Sequence, residues 1–258
     1  MKETYNWKSI TTGLILFIAG SAIVLLDFFI FNLAMNLGVS IGCSLIASSL
    51  VILTQSFFLE RVKENPLNEW GIDRIFLSRS EMNVESAPFL YKAKYKLDIV
   101  AFGLKSLRDT QTEKIENCLK RGVNIRIITM SPESPYVNQR EKEEKCSNGY
   151  IKDSIEQLIR WATLLNSKNY RGKIIIQGYN CMTLDFYWRV DDNLYVGPYW
   201  YGIQSQPTIT YKFTTDKKGF ITYSDYFEKL WCDSELLTPL LDGKQGNKQS
   251  KKLIANFK

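Results

Sequence analysis

The sequence predicts an α/β globular domain that follows an N-terminal transmembrane hairpin of two helices. Two apolar runs, at about 10–31 and 34–58, each exceed the roughly 20 residues that a helix needs to cross a bilayer. Their connection is so short that the two helices must run antiparallel. Further along the chain, short apolar strands alternate with helical stretches, a pattern typical of α/β domains.

The hairpin has a predicted orientation in the membrane. An apolar run of this length exceeds the h-region of about 7 to 15 residues in a cleaved signal peptide, and a second run follows directly. Lys2 and Lys8 precede the runs, Arg61 and Lys63 follow them, and the connection contains no basic residue. Because basic residues collect on the cytoplasmic side, both termini are predicted to be cytoplasmic.

The 5 cysteines, which have no C-x-x-C spacing, are predicted to be reduced thiols that form neither disulfides nor a metal site.

Small and polar residues in the hairpin are candidates for self-association. They are Gly38, Ser40, Gly42, Ser44, Ser48 and Asp27. Small residues at four-residue spacing let helices approach closely, and hydroxyl groups can bond across such a contact. Either the hairpin packs on itself through these surfaces, or the serine row joins several copies. Asp27 either reaches the outer headgroups or faces the interior of an oligomer, because a carboxyl group in hydrocarbon is costly.

The globular elements begin after a predicted juxtamembrane connector at 60–80. A helix at 87–96 leads into a buried strand at 97–102, and a helix at 110–120 leads into a second strand at 123–130. Strand, helix and strand with short links predict a right-handed parallel crossover.

The rest of the predicted domain, which spans 81–235, continues this alternation. The charged run 140–145 is predicted to be a solvated loop or helix face. The further elements are a helix at 151–165, strands at 173–177, 183–190, 193–196 and 208–213, and a helix at 223–231. The lysine-containing tail at 236–258 is predicted to be basic and flexible; it is either simply solvated or able to bind anionic lipid or nucleic acid.

This order of elements, with the hairpin Val190-Asp191-Asp192-Asn193-Leu194-Tyr195-Val196-Gly197, resembles the phospholipase D superfamily over most of residues 70–232. The resemblance implies a mixed-sheet phospholipase-D-like domain. The family pattern H-x-K-x-x-x-x-D would place its histidine at Leu184 and its lysine at Phe186, with Gly197-Pro198 at the Gly-Ser position. The chain contains no histidine. We therefore expect a non-catalytic domain, since the attacking nucleophile of that chemistry is a histidine.

A binding surface is expected where the family cradles phosphate. Its candidate residues are Lys105, Arg108, Tyr187, Arg189, Tyr199, Trp200, Tyr201 and Gln204. Cationic side chains suit a phosphate and aromatic rings suit a base, so a nucleotide, a nucleic-acid end or a protein loop fits this set. Alternatively, the aromatic residues pack the core. No metal and no cofactor is expected.

An inactive phospholipase-D-like domain on a two-helix hairpin resembles the two-transmembrane effectors of retron-type antiphage systems. The resemblance implies a toxin of the bacterial inner membrane that acts in abortive infection. Its partners would be the lipid bilayer, further copies of the chain, and a reverse transcriptase–RNA/DNA complex or a nucleotide signal as regulator. The alternatives are an effector of cyclic-oligonucleotide signalling, and a membrane-anchored nucleotide-binding sensor or scaffold without toxicity.

Overall fold

The computed structural model describes residues 7–31, 37–56 and 66–242. The chain divides into two units, Met1–Glu69 and Trp70–Lys258. In the first unit, helix α1 (Trp7–Leu26) ends in a π-helical turn (Asp27–Phe31), and helix α2 is Leu37–Thr54. The predicted orientation involves Lys2, Arg61 and Lys63, which lie outside the described residues.

Helices α1 and α2 pack against each other as an antiparallel pair. Their closest approach is at two glycines: a Cβ atom on Gly42 would lie 2.7 Å from the carbonyl oxygen of Gly20 and 2.5 Å from Cγ2 of Val24. Gly13 faces Leu53 on one side of this point, and Gly38 faces Asp27 on the other. Since a larger residue at 42 would separate the backbones, Gly42 serves contact within the hairpin.

Asp27 makes contacts within the hairpin. Its side chain is 5 % exposed and packs on Gly38. Oδ2 accepts a hydrogen bond of 3.3 Å from the backbone N–H of Val39, in the first turn of α2. This acceptor serves one of the first N–H groups of α2, which have no partners inside the helix, while Oδ1 of Asp27 is buried without a partner among the described residues.

Ser40, Ser44 and Ser48 lie on the exposed side of α2, away from α1. Two of their hydroxyl groups bond within the helix, Ser44 Oγ to the carbonyl of Ser40 and Ser48 Oγ to that of Ser44, each at 2.9 Å. The predicted self-association set is therefore divided. Gly38, Gly42 and Asp27 are occupied inside one chain, and only the serine row remains for contact between copies.

One helix of this unit is long and apolar enough to cross a membrane. This helix, Lys8–Phe29, meets the requirement by length and composition, as signal sequences near a chain start also do. The second predicted span contains a shorter apolar helix, Gly38–Thr54, and ends at residues outside the described part of the chain. Two spans and cytoplasmic termini therefore stay predictions.

The second unit is a mixed α/β fold built on one eight-stranded sheet. The strands are β1 (Ile72–Phe76), β2 (Lys96–Val100), β3 (Asn124–Met130), β4 (Ile174–Tyr179), β5 (Phe186–Val190), β6 (Asn193–Gly197), β7 (Thr210–Phe213) and β8 (Leu237–Leu241). Their order is β1-β7-β6-β5-β2-β3-β4-β8. The strands β2, β3 and β4 run parallel to one another, and every other neighbouring pair is antiparallel.

Seven further helices accompany the sheet in the described part of the chain. They are α3 (Pro66–Trp70), α4 (Arg79–Lys92), α5 (Lys105–Thr110), α6 (Thr112–Arg121), α7 (Pro135–Glu143), α8 (Tyr150–Ser167) and α9 (Lys218–Cys232). Helices α4 and α6 pack on one face of the sheet, against Leu97, Ile99 and Trp188 among others. Helix α9 packs on the other face, where Phe227 stacks on Tyr187.

The sheet extends beyond the predicted domain 81–235 at both ends. The connector contains strand β1, which pairs with β7, and the tail contains strand β8, which pairs with β4. Both are edge strands with exposed positions, so their apolar pattern is weak. Pro239 is compatible with β8 because an edge strand leaves one side without ladder bonds. Residues 243–258 of the predicted tail lie outside the described residues.

Two helices also differ from the prediction. Helix α4 begins at Arg79 rather than at 87, behind the N-cap Ser78, whose hydroxyl accepts from the N–H of Glu81 at 3.2 Å. Ser78-x-x-Glu81 is a capping-box signal that marks this start. The charged run 140–145 is not solvated as predicted: Arg140 and Glu141 are each 2 % exposed and belong to α7.

The turn between β5 and β6 is held by Asp191. Its carboxylate accepts hydrogen bonds from the backbone N–H groups of Lys94, Tyr95 and Lys96, at 2.8, 2.9 and 3.0 Å. Asp191 also has a φ of 49°, a conformation that Asp tolerates better than most residues. It therefore fixes the start of β2 beside the β5–β6 turn.

We expect Asp191→Ala to destabilise the protein by about 2 to 3 kcal/mol, because it leaves three N–H groups without their charged acceptor. The free energy of unfolding is measured by urea titration of the full-length protein in detergent. Asp192→Ala, a change at the neighbouring turn residue, is the control and should alter it by less than about 0.5 kcal/mol. Equal effects of the two changes would contradict a clamping role for Asp191.

Candidate ligand-binding site

A cavity of about 480 Å³ opens beside the carboxyl end of strand β2. The chain leaves β2 through Ala101-Phe102-Gly103-Leu104 and enters α5, and this segment lines the cavity. Gly103 is required by a close approach, since a Cβ atom there would lie 1.8 Å from Oγ of Ser154. Ligands of open α/β sheets bind outside the carboxyl ends of the strands, and the volume is in the usual range for small-molecule sites.

The wall of the cavity combines an apolar part and a polar part. Strand β5 contributes Phe186 and Trp188, which point to the same face because side chains alternate along a strand. The polar groups come from the start of α4, the start of α5 and the loop 199–206. They include Ser80, Asn83, Lys105, Gln204 and Gln206.

Arg79, the first residue of α4, is a cation of the wall that the sequence analysis did not select. Its side chain is 3 % exposed and its guanidinium carbon lies 4.3 Å from the ring centre of Phe186 and 4.4 Å from that of Tyr199. Nη2 donates to the carbonyl oxygen of Pro198 at 2.9 Å. Burial lowers the pKa of Arg79 from its ordinary value, although the guanidinium remains protonated at neutral pH.

A second buried arginine, Arg140, lies on the other side of Tyr199, with its guanidinium carbon 5.2 Å from the ring centre. Its Nε and Nη2 donate to Oε1 of Glu144 at 3.0 and 2.7 Å, and its Nη1 donates to Glu143 at 3.1 Å. Glu144 is 8 % exposed and also accepts from Oγ of Ser205. The charge of Arg140 is thus compensated by carboxylates of its own helix and C-cap.

These contacts hold the loop 198–206 across the cavity. Arg140 Nη1 donates to the carbonyl of Trp200 at 3.3 Å, and the N–H of Gly202 donates to the carbonyl of Glu143 at 2.7 Å. At the other end, the N–H of Arg79 donates to the carbonyl of Gln206 at 2.9 Å. The loop is therefore fastened to α7 and to α4, on two sides of the cavity.

The structure brings together only part of the predicted binding set. Lys105, Tyr199 and Gln204 line the cavity. Arg108 lies next to it and donates from Nε to the carbonyl of Gly103 at 2.8 Å. Trp200 is not among the lining residues, and Tyr201 is 80 % exposed.

Tyr187 and Arg189 do not join this set, because they point to the opposite face of the sheet. Tyr187 stacks on Phe227 of α9 with ring centres 4.9 Å apart. Arg189 lies over Phe220 of α9 and donates to Oγ of Ser224 at 3.0 Å. The prediction treated neighbours in sequence as neighbours in space, whereas alternation along β5 separates positions 187 and 189 from 186 and 188.

Two kinds of catalytic group can be checked in the cavity. The whole chain lacks histidine, so the histidine attack of phospholipase D chemistry has no nucleophile. Within the described residues no cluster of Cys, Asp or Glu has the arrangement of a metal site. Burial raises the pKa of the Tyr199 phenol, which is therefore neutral at pH 7 and available as a hydrogen-bonding group.

No protein-family model matches the sequence, and a search of the curated proteins gives no match. Among solved structures, TrmBL2, an archaeal chromatin protein described as having a novel mode of DNA binding, is 11% identical with a TM-score of 0.38, over 74% of this chain and 67% of its own. NucT from Helicobacter pylori is 13% identical with a TM-score of 0.38, over 65% of this chain and 98% of its own.

A third similar structure is the phosphatidylserine synthase of Haemophilus influenzae Rd KW20. It is 14% identical with a TM-score of 0.41, over 71% of this chain and 44% of its own, so this chain matches less than half of that protein. The synthase and NucT are both members of the phospholipase D superfamily. All three TM-scores are below 0.5, and likenesses of this size establish no activity for this chain.

We expect Arg140→Met to destabilise the protein by about 3 to 5 kcal/mol, because removing one member of a buried ion pair leaves Glu144 charged and unpaired. Urea titration of the full-length protein in detergent measures the effect. The control is Arg160→Met on α8, which removes an exposed pair with Glu156 and should cost less than about 0.5 kcal/mol. A loss below 1 kcal/mol for Arg140→Met would show that the pair does not hold the loop.

Proposed function

We propose that this protein is a membrane-embedded sensor and effector. Its globular unit binds a small ligand without catalysis in the cavity beside β2, and its N-terminal hairpin converts binding into a change in the membrane. The observation that carries the proposal is the cavity of about 480 Å³. The loop 198–206 lies along it and accepts hydrogen bonds from Arg79 and Arg140. A ligand in such a site can alter the loop and the helices attached to it.

The proposal includes a phospholipase-D-like origin for the globular unit. It is supported by the sequence resemblance around 190–197 and by the hairpin of β5 and β6 at that position. Leu184 and Phe186 replace the histidine and lysine of the family pattern, and Phe186 instead forms one wall of the cavity. Loss of the catalytic groups together with retention of a cavity favours sensing over turnover.

For the hairpin, we propose two spans, cytoplasmic termini and assembly of several copies through the exposed serine row. Membrane disruption by such an assembly would make the protein an effector of a retron-like antiphage system, restrained by a partner complex or a nucleotide signal. This part rests on the sequence resemblance and on the position of Ser40, Ser44 and Ser48 on the side of α2 that α1 does not cover. A hairpin that serves only as an anchor is the alternative.

Filling the cavity tests the sensing function. We expect Ser106→Trp to change depolarisation of cells that express the protein, because the indole would occupy space that a ligand needs. Depolarisation is followed with a potential-sensitive dye, in comparison with Ser147→Trp at an exposed loop position. The sensing function is contradicted if both variants insert, fold and behave like the wild type.

Adding bulk to the serine row tests the effector function. We expect Ser44→Leu to insert normally but to depolarise cells less and to give smaller crosslinked species, because leucine keeps neighbouring backbones apart at every interface. The matched control is Ala22→Leu, since Ala22 is an exposed small residue about half a helical turn from the face of α1 that packs on α2. If both leucine variants depolarise cells as strongly as the wild type, the hairpin is an anchor.

A further inference from the structure

Two buried arginines flank the ring of Tyr199, and only one of them forms an ion pair within the described residues. Arg140 is 2 % exposed and bonds to both Glu143 and Glu144. Arg79 is 3 % exposed and forms no ion pair with any residue of the described segments. Glu144 also acts on Arg79 through its charge, but its Oε1 accepts hydrogen bonds from Arg140 and Ser205.

A buried cation without an anion is costly, even when aromatic rings cover it. Stacking between Phe186 and Tyr199, a polar contact with the Tyr199 hydroxyl and a hydrogen bond to Pro198 return only part of the lost hydration. Nε of Arg79 has no hydrogen-bond partner among the described residues. A buried guanidinium that lacks an ion pair and lies in the wall of a cavity is typical of an arginine that binds a ligand.

Two further polar atoms without partners belong to residues that line the same cavity. Nε1 of Trp188, whose side chain is 5 % exposed, has a proton to donate and no acceptor in the described part of the chain. Oε1 of Gln111 is buried and receives no proton from the described residues. Both residues line the cavity, one from β5 and the other between α5 and α6. Together they leave one donor and one acceptor without partners in the wall of the cavity.

We infer that the cavity binds a phosphorylated nucleoside, with its phosphate against Arg79 and its base against Trp188 and Gln111. This inference rests on the proposed sensing function and names the ligand of the same site. A nucleotide base presents both acceptors and donors on its edge, and its ring suits the apolar wall formed by Phe186 and Trp188. A phosphate supplies the anion that Arg79 lacks, in charge-assisted hydrogen bonds.

Polar groups near Arg79 fit the phosphate end. Ser80 and Asn83 of α4 line the cavity on the helix that begins with Arg79, and Lys105 adds a cation at the start of α5. Lys105 forms no ion pair within the described segments.

The test measures binding to the full-length protein in phosphatidylcholine nanodiscs by calorimetry and thermal shift. The probes are AMP, GMP, CMP and UMP, the four corresponding nucleosides, and inorganic phosphate. We expect at least one nucleotide to bind at least about tenfold more tightly than its nucleoside, a factor that corresponds to one charge-assisted contact. Arg79→Met should remove this advantage, while Arg160→Met, a change at an exposed arginine, should keep it.

A stability measurement separates a ligand-binding role of Arg79 from a structural one. Without ligand, Arg79→Met should lower the Tm far less than Arg140→Met, because it leaves no buried carboxylate unpaired. Trp188→Phe and Gln111→Leu should weaken binding of the nucleoside as well as the nucleotide. They remove contacts to the base and leave Arg79 in place.

Several results would overturn the inference. They are no binding of any nucleotide, nucleosides that bind as tightly as nucleotides, inorganic phosphate that binds as tightly as any nucleotide, or nucleotide binding that Arg79→Met leaves intact. None of them touches the proposed sensing function if Ser106→Trp still changes depolarisation, since another ligand would then occupy the cavity. Conversely, nucleotide binding without any effect of Ser106→Trp would uphold the ligand and reject the sensing function.

Discussion

The buried ion pair between Arg140 and Glu144 is the contact on which the arrangement of the site depends. Because of this pair, charged residues of α7 lie inside the fold. Nη1 of Arg140 then donates a hydrogen bond to the carbonyl oxygen of Trp200. The loop 198–206 owes its position across the cavity to this support and to Arg79 at the other end. A buried pair costs desolvation of both ions, and here Oε1 of Glu144 accepts two hydrogen bonds from Arg140 and one from Ser205.

Arg79 and Arg140 show how burial alone does not define a role. Both side chains are almost wholly buried and both stack on Tyr199. Arg140 forms ion pairs within the fold and thereby stabilises it, whereas Arg79 forms no ion pair among the described residues and contacts two aromatic rings and the carbonyl oxygen of Pro198. The difference in counter-charge, rather than the residue type, separates a structural arginine from a candidate ligand-binding one.

In the hairpin unit, some small residues of α2 contact α1 and others lie on its exposed side. Gly20 and Gly42 let α1 and α2 approach closely, and Asp27 accepts a hydrogen bond from a backbone N–H in the first turn of α2. The serine row is left on the outside, with hydroxyl groups that bond to the preceding turn. Small residues are therefore found on two faces of α2, and only one of them is explained by the fold of a single chain.

The sequence by itself determined the apolar helices, the strand–helix–strand crossover and the β5–β6 turn, since each depends on a local pattern of apolar and turn-forming residues. It also determined the absence of histidine chemistry. The tertiary structure decided that β1 and β8 join the sheet, because edge strands have too few buried positions to show a pattern. It decided too that Lys105, Tyr199 and Gln204 share a cavity with Arg79 while Tyr187 and Arg189 face α9. Such groupings arise from strand alternation and from residues far apart in the chain, which no local pattern records.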